Sequence, residues 1–410
     1  MSINFLNLRH LKAFREVAFE KGISAAAARV HLSQPAVTQA MAGLEAHFDT
    51  SLFDRRREGM FVTDAGDALL SRVKRLFDLL NEGAELAMRS AMRNGEQPSQ
   101  NFQNSVTAAQ LRALVAIWDT GSFSMAARHI GISQPSLHRA GRDLEQLASM
   151  SLFSSTRKGI VLTPPAEIFA RSVKLAAAEL RQAHEEISRL LAQDSSSITV
   201  GSLPLSRTSI LPEAIHRLLQ DGSAIQVRTI EGPYSELLRG LRHGDLDILV
   251  GALRTPAPSE DVIQEPLLDD PLALVVAPTH PLAQRSNLSL EDTLSYPWIA
   301  PPKTTPAGTY LFEALNIEQR EKTPVRIVSS SLVMLRGLLA RGDYVTIISL
   351  HQAAIEQAQG LLVPLDIDLP GSARPIGLTY RKDWTPTPTQ AHFIAFIRHA
   401  ARATSHPPYT

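Results

Sequence analysis

The sequence predicts a multidomain protein: two all-α, winged helix-turn-helix domains, each followed by a long linker helix, and then a two-lobed α/β domain. Three observations predict it. Residues 8–63 recur at 108–163 with a constant offset of 100 and no gap. Each copy runs into a long amphipathic stretch. From Ile198 the patterning changes from helical to strands alternating with helices.

A chain of 410 residues suits two to four domains, and its ordinary apolar content allows sizeable cores. It has no cysteine, which removes disulfide scaffolds, thiolate metal sites and cysteine nucleophiles. The N-terminal stretch carries Arg9, Lys12, Arg15 and Glu16 and lacks a signal-peptide core, and no apolar run is long enough to span a bilayer. A cytoplasmic protein with no membrane partner is expected. The formal net charge of zero is unevenly spread: Lys and Arg against Asp and Glu count 8 and 6 over 8–63, 6 and 3 over 107–163, and 18 and 21 over 198–410. Two mildly basic modules precede a mildly acidic one, which favours nucleic-acid contact at the front.

The repeat is carried by identities. Leu11 matches Leu111, Ala26-Ala27 match Ala126-Ala127, and Ser33-Gln34-Pro35 match Ser133-Gln134-Pro135. Leu44-Glu45, Leu52-Phe53, Gly59 and Thr63 match Leu144-Glu145, Leu152-Phe153, Gly159 and Thr163. Within each copy, Leu8–Phe19 and Ala108–Trp118 have an apolar residue every three or four positions, which predicts a helix with one buried face. A Ser-capped Ala-rich helix is expected next, over Ser24–His31 and Ser124–Ile130. The Ser-Gln-Pro word then starts another helix: Ser caps the free N–H groups and Pro occupies the first turn, where no donor is needed. A short helix followed by one of this kind is the helix-turn-helix that offers side chains to the DNA major groove. After it, Arg55-Arg56-Arg57-Glu58-Gly59 and Thr156-Arg157-Lys158-Gly159 predict hairpins whose basic tips are placed to meet phosphates.

Two linker helices follow. Leu69, Val73, Leu76, Leu80, Ala84 and Ala87 form a stripe in the first. Phe169, Val173, Ala176, Leu180, Ala183, Ile187 and Leu190 keep a four-three spacing in the second, a seam that calls for a partner helix. A helix of another subunit is the expected partner, since nothing adjacent would cover the seam; packing within its own domain is the alternative. Polar stretches at 94–101 and 193–197 separate the modules. The organisation is therefore 1–66, first winged helix-turn-helix; 67–106, linker helix and polar linker; 107–165, second winged helix-turn-helix; 166–197, linker helix; 198–410, two α/β lobes.

In that last part, strands are expected at Ile198–Leu203, Gln226–Ile230, Leu246–Val250 and Leu272–Ala277, with helices at Ile210–Leu219 and Tyr234–Arg242. A second set comprises Val325–Val328, helix Leu332–Arg341, Tyr344–Ser349, helix Gln352–Gln359, Pro375–Tyr380 and a closing helix over Gln390–Arg402. Two such lobes imply a cleft, with ligands at strand C-termini beside helix N-termini. Ser202, Ser206, Arg207, Thr208 and Ser209 after the first strand, and Ser329-Ser330-Ser331 in the second set, are either donors for an anionic or polyhydroxy ligand or simple N-caps. No His-Glu-x-x-His, phosphate-loop or Gly-x-Ser-x-Gly pattern occurs, so no enzyme and no cofactor is expected. Asp269-Asp270 read as a solvated loop.

Taken together, Ser-Gln-Pro…Leu-Glu, Leu-Phe-x-x-x-Arg and the wing Thr resemble the LysR-type bacterial transcriptional regulators. So do Val200-Gly201…Leu211-Pro212, Gly244-Asp245-Leu246-Asp247-Ile248, His280-Pro281-Leu282-Ala283 and Leu338-Leu339-Ala340-Arg341-Gly342. The resemblance implies a periplasmic-binding-protein-like effector-binding domain and a regulator that binds double-stranded DNA as a homodimer or homotetramer through its linker helices, in response to a small-molecule effector. DNA contacts would come from Ser133, Gln134, Pro135, Ser136, His138, Arg139, Arg142, Arg157 and Lys158. The first copy offers Ser33, Gln34, Pro35, Ala36, Thr38, Gln39, Arg55, Arg56 and Arg57. Ligand contacts would involve Ser202, Ser206, Arg207, Thr208, Tyr234, Ala252 and Ser331. The effector expected is an acidic metabolite, the domain being most similar to regulators of sugar-acid or aromatic-acid breakdown. The family usually carries one head, so either both copies read DNA or the first is a dimerisation module. The alternative outside this class is a two-lobed solute-binding or ligand-sensing protein.

Overall fold

The computed structural model describes residues 5–157, 159–220, 224–320 and 324–405. The chain divides into two compact units, one comprising 1–197 with short stretches at 223–226 and 243–245, the other the rest of 198–410.

In the first unit the two heads repeat element for element. Helices α1 (Leu8–Glu20), α2 (Ile23–Val30) and α3 (Gln34–Phe48), hairpin β1 (Phe53–Arg56)–β2 (Gly59–Val62) and the long α4 (Asp64–Arg93) are followed by a second set. That set is α5 (Ala108–Thr120), α6 (Phe123–Ile130), α7 (Gln134–Ala148), β3 (Phe153–Thr156), β4 (Gly159–Leu162) and α8 (Pro164–Leu190). The Ser33 hydroxyl accepts the Ala36 N–H at 3.3 Å and Ser133 accepts that of Ser136 at 3.2 Å, so both recognition helices start where the Ser-Gln-Pro word places them. The preceding helices start earlier than expected: α2 follows Gly22, which supplies no side-chain cap, and α6 is capped by Ser122. Ser24 and Ser124 lie inside the first turn, because the chain turns at residues 21–22 and 121–122, where Lys21 and Gly121 take the left-handed conformation.

The rest of the repeated motif is explained by the wing's attachment. The Glu45 carboxylate accepts the N–H groups of Leu52 (2.9 Å) and Phe53, and Glu145 does the same for Leu152 (2.9 Å) and Phe153. Thr63 and Thr163 cap α4 and α8 and donate their hydroxyls to Ser51 O and Ser151 O. Gly59 and Gly159 have φ near 138° and 130°, and a Cβ there would lie 2.6 Å from the carbonyl of Lys21 or Gly121. Glycine is required on both counts.

Helices α4 and α8 pack antiparallel along their whole apolar stripes. Leu69, Val73, Leu76, Leu80, Ala84 and Ala87 share one core with Phe169, Val173, Ala176, Leu180, Ala183 and Ile187. A Cβ on Gly83 would lie 2.3 Å from that of Ser172, so the backbones approach closely at that point. The seam of α8 is therefore covered by α4 of the same chain. Packing within one chain, the alternative left open by the sequence, is what covers the seam at that position, and it does not bear on the expected homodimer or homotetramer.

The second unit contains β5 (Ser197–Ser202), α9 (Ile210–Gln220), β6 (Gln226–Glu231), α10 (Tyr234–Arg242), β7 (Ile248–Ala252), β8 (Val262–Asp270) and β9 (Leu272–Val276). It continues through α11 (Leu290–Thr293), β10 (Trp298–Ala300), α12 (Pro306–Thr309), β11 (Val325–Val328), α13 (Leu332–Leu339) and β12 (Val345–Ser349). It ends with α14 (Leu350–Ala358), β13 (Val363–Pro364), β14 (Arg374–Arg381) and α15 (Pro388–Ser405). Two five-stranded sheets, ordered β6-β5-β7-β14-β8 and β11-β10-β12-β9-β13, form the two lobes. Strand β14 returns to the first sheet between β7 and β8, and α15 packs on α9. The last strand and helix thus complete the first lobe, not the second as their order suggested. Chain order does not say into which sheet a returning strand is inserted, and β14 enters the first one with partners on both sides. Strand β8 also replaces the loop expected at Asp269-Asp270: Asp269 is exposed, whereas Asp270 is fully buried.

Candidate nucleic-acid interface and effector cleft

The first turns of α3 and α7 are open. Ser33, Gln34, Pro35, Thr38 and Gln39 are exposed, with Ala36 half-buried. In the second head Ser133, Gln134, Pro135, Ser136, His138, Arg139 and Arg142 are exposed. The apolar side chains between them, Val37, Ala40 and Met41 or Leu137 and Leu144, are buried and fix each helix on its head. Exposure of the polar set is what a groove-reading helix requires. The two sets differ in chemistry: the first is neutral and amide-rich, the second carries imidazole and guanidinium groups. Arg142 is drawn to Glu145 at 2.6 Å, while Arg139 has no ionic partner among the described residues. On the wings, Arg55, Arg57 and Arg157 are exposed. Arg56 pairs with Asp54 at 3.3 Å and stands over the Phe61 ring. Lys158 lies outside the described residues.

The expected ligand residues divide into those that brace the fold and those that are placed for contact. Ser206 is fully buried, and its hydroxyl donates to Leu203 O (2.8 Å) and Val250 O (3.1 Å), so it ties β7 to the turn after β5 and does not face a ligand. Ser202 is buried against Ile230 O. Arg207, expected to meet a ligand carboxylate, is paired with Glu231. Thr208 accepts a hydrogen bond from Gln352 of the other lobe at 3.1 Å, bridging the two. Ser331 caps α13 on the second lobe. Tyr234 and Ala252 are brought together by Arg254, whose guanidinium lies 4.2 Å from the Tyr234 ring and donates to Ala252 O.

Arg254 and Arg374 escaped the sequence reading. Burial pulls both guanidinium pKa values down from the ordinary arginine range; for Arg254 the positive charge of Arg374 adds to that effect, while Tyr234 opposes it. Arg374 donates to Asp270 at 2.9 Å, and Asp270 also takes the Ser349 hydroxyl (2.6 Å) and lies 2.8 Å from His351 Nδ1. Arg254 has no carboxylate partner among the described residues. Two buried donors in this group, Arg374 Nη1 and the Tyr234 hydroxyl, also lack a partner. No signal in the sequence marks these arginines, since neither lies in a motif and the partners are remote in the chain.

Two winged helix-turn-helix heads and a two-lobed α/β domain define a DNA-binding regulator with a ligand-sensing module. The chain belongs to the LysR family. Residues 8–67 and 108–167 each match the bacterial regulatory helix-turn-helix protein, lysR family, and residues 191–402 match the LysR substrate binding domain. It is 34% identical over 401 residues to the HTH-type transcriptional regulator GalR of Pseudomonas putida, covering 97% of this chain and 98% of that one. It is 30% identical to the regulator PcaQ of Agrobacterium fabrum, over 71% of this chain and 94% of the relative. A full-length OxyR variant from Pseudomonas aeruginosa shares the fold, with a TM-score of 0.52 and 22% identity over 72% of this chain and 94% of that one. The chain is a LysR-type transcriptional regulator with an effector-binding domain, of a family whose members bind DNA and effectors and form oligomers. Its relatives are regulators and not enzymes, and the solute-binding alternative is not favoured. Among the described residues, no helix is long and apolar enough to cross a membrane.

Proposed function

We propose that the protein switches transcription from an operator read by both heads, in response to a small organic anion held between the lobes, and that it does so in the cytoplasm. The observation that carries the effector class is the pair Arg254 and Arg374. The Arg374 guanidinium is paired with Asp270, whereas that of Arg254, which feels the charge of Arg374, has no carboxylate partner among the described residues, so the two leave a net positive charge at a half-buried site. The unpartnered Arg374 Nη1 and Tyr234 hydroxyl are donors that a carboxylate would satisfy, and charge-assisted bonds of this kind are the strong ones. Thr208, Tyr234 and Ala252 on the first lobe and Ser331 on the second would line the remainder of the ligand. Both heads keep an exposed recognition turn, a capping serine and basic wing residues, which supports DNA reading by each.

Calorimetric titration of the full-length protein with a panel of small carboxylates, sugar acids and aromatic acids included, against their neutral amides tests the effector class. Binding of acids that is lost in Arg254→Ala supports it. Tighter binding of the amides, or acid binding that survives Arg254→Ala unchanged, rejects it.

A further inference from the structure

Adding or subtracting 100 exchanges α4 with α8, and the contacts between the two helices obey the exchange. Gly83 meets Ser172, a contact whose image is residue 183 against 72, and Arg72 indeed lies across the same stretch of α8, 2.9 Å from both Glu179 and Gln182. The helices are therefore related by an approximate two-fold axis, with one head rooted at the start of each. A 30-residue helix such as α4 is ~45 Å long, so the heads sit towards opposite ends of the pair. A two-fold operation preserves direction along its axis. Whatever face one recognition helix presents along that axis, the other presents too, which is the arrangement that matches the local dyad of a duplex.

The exchange fails at one place. Arg72 is buried and held by Glu179, Gln182 and Glu186, whereas its equivalent is Ser172, and the equivalents of the three acceptors are Leu79, Glu82 and Leu86. Pairing α4 with α4 of another chain would set Arg72 against two leucines and one glutamate. Pairing α8 with α8 would bury Glu179 and Glu186 opposite Ser172, with no arginine from α4. A buried charge without its partner is strongly unfavourable, which disfavours α8 with α8, while α4 with α4 offers Arg72 one acid in place of two acids and an amide, so the charges favour α4 with α8 over either like pair. The connection between them is stitched down. The Glu96 carboxylate accepts Ser151 N–H (3.1 Å), Ser99 N–H donates to Ala148 O (2.9 Å), and Gln103 donates to Asn81 of α4 (3.3 Å). Lys12 of the first head donates to Asn104 O at 2.6 Å. These contacts bind the linker to both heads and favour pairing within one chain over exchange between chains.

Resting on the regulator reading above, we propose that a single chain is a complete two-headed DNA reader. Its α4–α8 pair, keyed by Arg72, holds two unlike recognition helices over two unlike half-sites of one duplex, so that each chain engages two half-sites. The amide-rich first head, with Gln34 and Gln39, suits adenine edges, and Arg139 of the second suits a guanine.

The test uses the full-length chain. Selection from random duplexes is expected to yield a site with two different halves at a fixed spacing, and native mass spectrometry to find one chain per pair of halves. Gln34→Ala with Gln39→Ala, and separately Arg139→Ala, are exposed changes that leave the core intact; each is expected to weaken binding about tenfold or more and to relax the sequence at one half only, a different half for each. The triple variant Arg72→Leu, Glu179→Leu, Glu186→Leu removes the key, takes the Glu179 contact only from the partly exposed Arg75 (3.2 Å), and is expected to broaden the spacing. Two chains per pair of halves, relaxation of the same half by both head variants, an inert first head, or an unchanged spacing in the triple variant overturns the proposal; the inert first head also overturns reading by both heads, and each outcome leaves the ligand-responsive regulator intact. Failure of the wild type to select any sequence overturns the regulator reading itself.

Discussion

The guanidinium of Arg72 lies 2.9 Å from the carboxylate of Glu179, 107 residues further along the chain, and both side chains are almost completely buried. Burial alone would lower the Arg72 pKa, but the hydrogen bonds to Glu186 and Glu179 outweigh it and the pKa is raised. Removing the arginine therefore leaves Glu186 without it and Glu179 with the partly exposed Arg75, 3.2 Å away, as its remaining arginine contact. Arg72→Ala is expected to cost roughly 3 to 5 kcal/mol of stability, measured by urea unfolding, and replacing Glu179 and Glu186 by leucine alongside Arg72→Leu is expected to recover most of it. Equal stability of the wild type and the single variant would show that the cluster is solvated.

The glycines of the two recognition helices are not equivalent. A Cβ on Gly43 meets nothing within 4 Å, whereas one on Gly141 would lie 3.2 Å from the Phe153 ring. Gly43→Ala is expected to raise stability by about 1 kcal/mol, the helix-propensity difference. Gly141→Ala gains the same propensity but crowds a half-buried ring, so its melting temperature is expected to rise less or to fall. A larger rise for the second variant would contradict the packing.

His280 supplies a pH dependence. The residue is buried, its Nδ1 accepts the Leu282 N–H at 3.0 Å, and its ring lies 4.5 Å from that of Tyr296. Burial pulls its pKa below the usual histidine value, against the opposing pull of Asp343. The folded state thus binds its proton less readily than the unfolded chain. The stability that the neutral ring contributes is present above about pH 6.5 and is lost as the pH falls from there through the lower folded value. Thermal melts from about pH 7.5 down to about 5.5 are expected to show a steeper decline for the wild type than for His280→Asn, and parallel curves would exclude the histidine as the source.

The exposed wing arginines bear on affinity and not on sequence choice. Arg55→Ala, Arg57→Ala and Arg157→Ala are each expected to weaken binding to all duplexes alike and to reduce the slope of log affinity against log salt by about one. A wing variant that alters base preference while leaving the salt slope unchanged would place that side chain in a groove.

Much of this architecture is legible in the chain because its signals are local. The Ser-Gln-Pro caps, the heptad-like stripes, the wing glycines and the repeat offset each act within a few residues, and the helices and hairpins form where those words stand. Two caps were misplaced, at Ser24 and Ser124, since a serine two residues inside a helix looks the same as one at its start. The identity of partners was not legible. The stripe of α8 announces that some helix must cover it, but any apolar stripe of matching length would serve; only the close approach of Gly83 to Ser172 and the clasp around Arg72 make that helix α4. Similarly, Asp270 reads as one of two exposed acids until β8 and β14 bring Arg374 against it, and Arg254 acquires a meaning only beside Tyr234. Local periodicity and capping residues determined the elements, and the motifs they carry resemble one family. Which distant charges would share a buried site was decided by tertiary structure, because burial and Coulombic pairing depend on neighbours that sequence order does not specify.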